Sequence, residues 1–299
     1  MNNLPFDKPG MFRRGNLHTH TNASDGGKSV EEVVAAYQQQ GYDFLSITDH
    51  FMERYGFPVV DTTQFRSERF TTLIGAELHA PALWYGDIWH ILANGLPADF
   101  APTGADEDGP ALAKRAANAG AFVTIAHPSW YAVSLEDALS IDVAHAVEIY
   151  NHTAHHHNDK GDSTALIEQL LMQGRKVHIL ATDDAHFNSR PDFFGGWVMV
   201  KSDSLDPDSI LTALKAGHYY SSQGPQLVDV TVTDTVVQVK SSPVQSMYLT
   251  GPGSLVERLR GERLTSETLP LKRFKDQYCR VTVVDEFGRR AWTNPIWLG

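Results

Sequence analysis

The chain has 299 residues, of which 42% are hydrophobic, and a formal net charge of -11 at pH 7. A chain of this size can bury a substantial core in one large domain or two, and its acidic charge disfavours a general nucleic-acid or anionic-membrane binder. Cys279 is the only cysteine, which excludes an intrachain disulfide framework and a thiolate zinc site.

Over residues 15–217, apolar segments with strand character alternate with segments of helix character. The predicted strands are residues 16–20, 44–48, 71–76, 88–93, 122–126, 146–150, 177–182 and 197–200. The predicted helices are residues 29–40, 110–119, 163–173 and 206–216. This alternation favours right-handed crossovers and a mainly parallel sheet, and the number of units indicates a closed or nearly closed α/β barrel.

The pattern changes after residue 224. Residues 227–240, 246–250 and 280–284 alternate apolar with polar side chains, and no long amphipathic helix follows. We therefore predict a barrel over residues 1–224 and a small all-β, sandwich-like domain over residues 225–299.

Histidines and carboxylates directly follow several of the predicted strands. The motifs are His18-Thr19-His20 with Ser24-Asp25-Gly26, Thr48-Asp49-His50, Ala126-His127-Pro128 and Asp184-Ala185-His186, with Glu77 and His90 between the second and third. Side chains at the carboxyl ends of barrel strands converge at one rim, and neutral imidazoles with ionised carboxylates are metal ligands. One His-x-His pair could be a pair of surface histidines, but the recurrence of the arrangement predicts a metal-dependent hydrolase.

The order and spacing of these motifs resemble the signature of the polymerase and histidinol phosphatase (PHP) family over about residues 16–200. Residues 280–297 are similar to a branch with a C-terminal β domain, some of whose members hydrolyse carbamate or ester bonds. The resemblance implies a distorted (β/α)7 barrel and two or three divalent metal ions. A mixed nitrogen and oxygen ligand set suits Zn, Mn or Fe.

The resemblance also implies three metal positions, with Glu77 bridging the first two. The first would be held by His18, His20, Glu77 and Asp184. The second would be held by Glu77, His90 and His127. The third would be held by Asp25, His50 and His186, with Asp25 standing where several relatives have histidine.

Other polar residues receive secondary roles. Asp49 and Asp183 neighbour ligands but point to the opposite side of an extended strand, so we expect them to orient the ligands. His79 could face the same rim, and a structural role is an equal alternative. The histidines at 152 and 155–157 follow a strand end, so one of them could reach the pocket, but we interpret them as part of a solvated loop.

An anionic substrate group calls for a cationic side chain. Lys28, Arg54 and Arg190 are the candidates, and Arg190 is preferred because it follows the Asp184 and His186 motif. His186 is also a candidate proton donor to the leaving group.

These residues predict hydrolysis of a small phosphomonoester or phosphodiester by a metal-activated hydroxide. The alternatives are a carbamate or carboxylic ester hydrolase on the same metal site, and a metal-stabilised protein that binds a partner without catalysis. We expect a small anionic substrate, no stable nucleic-acid binding and no membrane association. The first eleven residues lack an apolar signal-peptide segment, so a cytoplasmic location is expected.

Overall fold

The structure is a computed structural model that describes residues 4–299. Its strands are β1 (Met11–Asn16), β2 (Phe44–Ile47), β3 (His50–Phe51), β4 (Thr71–Leu78), β5 (Ile91–Asn94), β6 (Phe122–Ile125), β7 (Ala146–Asn151), β8 (His178–Thr182), β9 (Trp197–Ser202), β10 (Tyr219–Ser222), β11 (Leu227–Val232), β12 (Val236–Thr250), β13 (Val256–Pro270), β14 (Tyr278–Val284), β15 (Arg290–Thr293) and β16 (Ile296–Trp297). Its α-helices are α1 (Val30–Gln39), α2 (Gly109–Asn118), α3 (Leu135–Ser140), α4 (His152–Asn158), α5 (Thr164–Met172) and α6 (Pro207–Lys215). Within residues 4–299, no helix is long and apolar enough to cross a membrane.

The fold is mixed α/β, and its strands follow one hydrogen-bonded path. The order is β11-β12-β14-β15-β10-β9-β1-β2-β4-β5-β6-β7-β8. Strands β1, β2 and β4 pair in parallel, as do β6, β7 and β8, but β5 is antiparallel to both β4 and β6. The prediction of a mainly parallel sheet is therefore wrong at β5 and at β9, which is antiparallel to β1. The connection between β4 and β5 contains no α-helix, so the chain turns back beside β4 instead of crossing over.

The first and last strands of the series from β1 to β8 meet just beyond their carboxyl ends. Thr19 and Ala185 form a parallel bridge, the Asp184 N–H donates to the His18 carbonyl at 2.9 Å, and the His20 N–H donates to the Ala185 carbonyl at 2.8 Å. The strand predicted over residues 16–20 ends at Asn16, because its pairing with β9 lies earlier in the chain. The histidine motif thus follows β1 and lies where the series of strands is joined.

The reversed strand β5 brings His90 to the same rim. His90 immediately precedes β5, and the amino end of β5 lies beside the carboxyl ends of β4 and β6, with Ile91 paired to Leu78 and to Ile125. His90 therefore reaches the rim from the start of its strand, unlike the ligand candidates that follow strands.

Helix starts follow local capping rules. The predicted capping box at Ser29 and Glu32 is confirmed, because the Ser29 side chain accepts from the Glu32 N–H and the Glu32 carboxylate accepts from the Ser29 N–H.

The loop predicted for the histidines at 152 and 155–157 is wrong, since these residues form helix α4. Asn151 caps that helix by accepting the Ala154 N–H at 2.8 Å.

The C-terminal segment extends the same strand path. Its strand β15 pairs with β10 through Tyr220 and Thr293, so the sheet is continuous across residue 224. Val237, Val281 and Phe274 belong to a second hydrophobic core that also includes Leu4 from the N-terminal region. Trp292 and Tyr278, in contrast, pack with the core beneath β4 to β8. The C-terminal segment therefore forms most of a second core, which it shares with residues such as Leu4 and Tyr220, and it also contributes to the first core.

Candidate metal centre

The rim gathers all the ligand candidates predicted from the sequence into overlapping clusters. In each cluster the potential ligand atoms lie within 4.8 Å of one another. The clusters are His20, Asp25, His50 and His186; His50, Glu77, His79 and His90; His18, His127 and Asp184; and His18, His20 and Glu77. The predicted third position is thus present as one cluster with His20 added, whereas His127 is grouped with His18 and Asp184.

Glu77, at the end of β4, is the carboxylate shared by most of these histidines. Its oxygens are fully buried and lie at these distances from ring nitrogens: 2.7 Å (His50), 2.8 Å (His90), 3.0 Å (His127), 3.7 Å (His18) and 3.7 Å (His20). This position between two sets of imidazoles is the one expected of a bridging carboxylate.

Asp184 faces Glu77 across the histidine pair that follows β1. Its Oδ1 lies 2.9 Å from His20 Nε2 and 3.1 Å from His18 Nε2. Asp184 and His127 both have left-handed backbone, with φ of 57° and 23°, a conformation that costs about 1–3 kcal/mol at a non-glycine residue. Hydrogen bonds hold both turns, because the Asp184 N–H donates to the His18 carbonyl and the His127 N–H donates to Glu148 at 2.6 Å.

Asp25 lies at the open side of the cluster, with its side chain 37% exposed. Its carboxylate is 3.4 Å from His50 Nε2 and 3.6 Å from His186 Nε2. The following Gly26 is required sterically, since a Cβ there would lie 2.8 Å from backbone atoms of His20. The Ser-Asp-Gly motif therefore lets the loop pass close enough to His20 to present Asp25.

The donor set fits divalent cations. Several buried atoms of the cluster have no hydrogen-bond partner in the structure: His18 Nε2, His20 Nδ1, Glu77 Oε2, His90 Nε2 and His127 Nδ1. A buried polar atom left unpaired costs about 1–3 kcal/mol, so these atoms are suited to coordinate a cation. Imidazole nitrogens with carboxylate oxygens are the ligands preferred by Zn, Mn and Fe.

The protonation states of Glu77 and His20 agree with ligation, whereas a cation would have to displace a proton from His50, whose pKa burial lowers but Glu77 and Asp25 raise to about 10. Burial alone raises the pKa of Glu77, but the positive charges that His90, His50 and His18 can carry hold that pKa well below its usual range. Burial, with neighbouring His186 and His50, lowers the pKa of His20 to about 3, which keeps this imidazole neutral. Ionised carboxylates and neutral imidazoles are the forms that bind metal.

Glu148 is a supporting residue that sequence reasoning missed. It is fully buried on β7, where Oε1 accepts from His18 Nδ1 at 2.8 Å and from Thr182 Oγ1 at 2.6 Å. Its Oε2 accepts the His127 N–H and, at 2.9 Å, Asn151 Nδ2. Glu148 thus fixes the His18 ring so that Nε2 faces the centre. The available signal was a lone carboxylate inside an otherwise apolar strand, which belongs to no motif.

Asp49 and Asp183 hydrogen-bond to the loops that flank the ligand candidates. Asp49 accepts from the Thr21 N–H and hydroxyl, both at 2.7 Å, and from the Ser24 hydroxyl at 2.5 Å. Asp183 accepts from the Tyr37 hydroxyl at 2.7 Å and from the N–H groups of residues 194–196. One carboxylate therefore fixes the loop before Asp25, and the other fixes the loop after His186.

A pocket of about 560 Å³ opens above the cluster. Arg54 and Arg190 both line it, whereas Lys28 lies over the Phe187 ring at 6.0 Å. Arg190 contacts His157 of α4, whose ring stacks on Trp130 at 4.6 Å between centroids. His157 and Trp130 also line the pocket, although no sequence motif selects Trp130.

Comparison with known proteins gives the fold. No family model and no curated protein matches this chain. A two-domain protein from Bacteroides vulgatus, which contains a predicted PHP-like metal-dependent phosphoesterase, has a similar structure: the TM-score is 0.56, with 15% sequence identity over 94% of each chain. The chain has a PHP-like fold. The resemblance identified from the motifs is confirmed at the level of the fold, and the shared PHP-like fold covers most of both chains.

Two other solved structures are more distantly similar. A proposed metal-dependent phosphoesterase from Bifidobacterium adolescentis is 14% identical, with a TM-score of 0.44, over 68% of this chain and 96% of its own. An amidohydrolase from Chromobacterium violaceum, with bound sulfate and no metal, is 13% identical, with a TM-score of 0.40, over 57% of this chain and 87% of its own.

Proposed function

We propose that this protein is a metal-dependent hydrolase of small phosphoesters, either monoesters or diesters. The observation that carries the proposal is the convergence of the candidate ligands at one rim, where six of them line a pocket together with Arg54 and Arg190. The ligands suit divalent cations, and the arginines suit a small anionic substrate. The acidic net charge of the chain is then offset locally by bound cations.

Two or three divalent ions, Zn, Mn or Fe, would be held in the clusters at the rim. The proposed ligands are His18, His20, Asp25, His50, Glu77, His90, His127, Asp184 and His186. Bound there, such ions would polarise a phosphoryl oxygen and lower the pKa of a coordinated water to near neutrality.

The chain's own side chains would bind and orient the substrate. Arg190 and Arg54 would pair with phosphoryl oxygens, with guanidinium geometry that favours bidentate contact. The Nδ1 of His186 is 2.7 Å from the Asp184 carbonyl, which can only accept, so this nitrogen carries the proton and Nε2 keeps its lone pair. That form suits a ligand. The second role predicted for His186, proton donation to the leaving group, requires the doubly protonated ring.

We also propose that β1, β2 and β4–β8 form a distorted (β/α)7 barrel and that residues 225–299 form a small β domain. The bridge between Thr19 and Ala185 supports the first proposal, because it joins the two ends of the strand series. The second hydrophobic core supports the domain proposal.

The decisive experiment combines a substrate panel with an arginine variant. Activity would be measured on p-nitrophenyl phosphate, bis-p-nitrophenyl phosphate, nucleotides, p-nitrophenyl acetate and an aryl carbamate, with Mn, Zn or Fe added. Arg190→Ala should weaken transition-state stabilisation in kcat/KM by about 2–4 kcal/mol, with metal content unchanged. Lys28→Ala is the matched control, since Lys28 packs over Phe187 instead of lining the pocket. Turnover of the carbon esters alone, indifferent to Arg190, would favour the carbamate or carboxylic ester alternative.

A further inference from the structure

His79 is a buried histidine of the centre that the ligand assignments leave unused. It follows β4, and its side chain is 4% exposed. Its Nδ1 lies 3.0 Å from the Trp89 carbonyl oxygen, and its Nε2 lies 2.8 Å from His50 Nδ1. The hairpin of β4 and β5 places these groups together, because Trp89 directly precedes His90 on the returning strand.

These two contacts determine where the protons lie. A carbonyl oxygen only accepts hydrogen bonds, so His79 Nδ1 must donate to Trp89. In the neutral ring, His79 Nε2 is then an acceptor, and the proton between the two histidines belongs to His50 Nδ1. In a neutral His50 ring, the remaining nitrogen, Nε2, keeps its lone pair, and it faces the Asp25 carboxylate at 3.4 Å.

We propose that His79 is a positioning residue that sets the tautomer and orientation of His50, so that His50 Nε2 is presented as a ligand beside Asp25 and His186. The inference rests on the proposed metal-dependent function. It assigns His79 to the third metal position without making it a ligand, and it extends the hydrogen-bonded chain from the Trp89 carbonyl through two imidazoles to the ion.

Direct ligation by His79 fits the geometry less well. Two ring nitrogens on one tetrahedral ion lie about 3.3 Å apart when each metal–nitrogen bond is about 2.0–2.1 Å. His79 Nε2 and His50 Nδ1 are 2.8 Å apart, which is a hydrogen-bond distance. Glu77 Oε2 also lies 2.7 Å from His50 Nδ1, so this carboxylate and His79 Nε2 are both acceptors within reach of the proton on that nitrogen.

The test compares two substitutions that differ in one property. His79→Gln retains a side-chain acceptor at similar reach, whereas His79→Leu removes it. His178→Leu is the control for loss of a mostly buried histidine outside the cluster. Circular dichroism would first establish that each variant is folded, and the Gln variant preserves a test if the Leu variant is not.

Two measurements on the full chain decide the outcome. Long-range proton–nitrogen NMR of the metal-free protein, at a pH high enough to leave His50 neutral, should show His50 protonated at Nδ1 in the wild type and His79→Gln, but not in His79→Leu. Competition with a chelator should show that the weakest-bound Mn or Zn ion binds about 10–100-fold less tightly in His79→Leu, with recovery in His79→Gln. The control should change neither quantity.

Each alternative result has a separate meaning. Unchanged affinity together with an unchanged His50 tautomer in His79→Leu would overturn the inference. Complete loss of one ion in both variants would also overturn it, because that result indicates direct ligation by His79. A wild-type protein that binds no metal would contradict the proposed function, while the NMR comparison would still decide the role of His79.

Discussion

Glu77 and Asp25 are both carboxylates of the candidate metal centre, but their surroundings differ. Glu77 is buried among imidazoles from several strands, whereas Asp25 is partly exposed and contacts the histidines at the open side. Glu77→Gln should therefore remove more than one ion per chain, because it weakens two positions together. Asp25→Ala should remove at most one. Elemental analysis after gel filtration would measure both losses, and equal, small losses would contradict the bridging role of Glu77.

The residues that sequence reasoning recovered are those that stand in short motifs at strand ends. Residue type and position are both visible in a motif such as His-x-His, and the ends of strands follow from the apolar runs. Glu148 was not recovered in that way, and His79 was only named as a residue that could face the rim, without the role proposed for it above. Their roles depend on hydrogen bonds to His18 and to His50, which come from distant parts of the sequence.

At the level of elements, strand positions were predictable but strand direction was not. The apolar segment that forms β5 looks the same in the sequence whether the strand runs parallel or antiparallel to β4. The antiparallel direction of β5 is therefore visible only in its pairing with β4. Helix α4 was missed because its histidines and asparagines have modest helix propensity. Strand β13 was missed because charged residues on both faces hide the alternation, and it pairs only with β12.

Helix α4 provides a direct test of that correction. His155→Pro should lower the free energy of unfolding by about 3 kcal/mol, because proline removes a helical hydrogen bond and clashes with the preceding turn. His155→Ala is the matched variant, since it removes the same half-exposed imidazole but retains the backbone N–H. Urea denaturation followed by circular dichroism would measure both. Equal stability of the two variants would indicate a loop at these residues.

For the whole molecule, the C-terminal segment is expected to be required for folding. Trp292 is 2% exposed and packs in the first core, with its ring 6.5 Å from that of Tyr150. Asn294 accepts the Ile179 N–H on β8 and donates to the carbonyls of Gly217 and Tyr219. A chain ending at Gly224 would expose apolar surface and lose these bonds, so it should be poorly soluble and unfold without cooperativity.

Point variants test whether the packing of the C-terminal segment, and not merely its presence, stabilises the protein. Trp292→Ala should destabilise the protein by about 3–5 kcal/mol. Phe287→Ser is the control in the same segment, because Phe287 is 73% exposed and its loss should change stability by less than about 0.5 kcal/mol. Thermal unfolding would also be measured for the chain that ends at Gly224. A cooperative transition in that truncated chain would contradict the prediction that folding requires the C-terminal segment.

The stability of the whole molecule should also depend on His178. Burial lowers the pKa of this imidazole to about 4, from an ordinary value of 6.5. Between pH 6.5 and pH 4 the unfolded chain binds a proton at His178 that the folded protein does not bind. The free energy of unfolding is therefore not reduced by His178 above pH 6.5, and it decreases as the pH falls toward 4. When the pH is lowered from 7.5 to 5, the free energy of unfolding of His178→Gln should therefore fall by about 1–2 kcal/mol less than that of the wild type. Urea titrations at the two pH values would measure this, and parallel losses would exclude His178 as the cause.

The join between the segments after β1 and β8 has a consequence for folding kinetics. His20 and Asp184 contact each other although they are 164 positions apart, so the centre cannot form until most of the intervening strands are in place. Contacts of such sequence separation carry a large entropic cost and form late. An ion that binds only the finished centre stabilises the native state without assisting the transition state. In stopped-flow experiments, added Mn or Zn should slow unfolding and leave the folding rate unchanged, so that metal supply governs how long the folded protein lasts and not how quickly it forms.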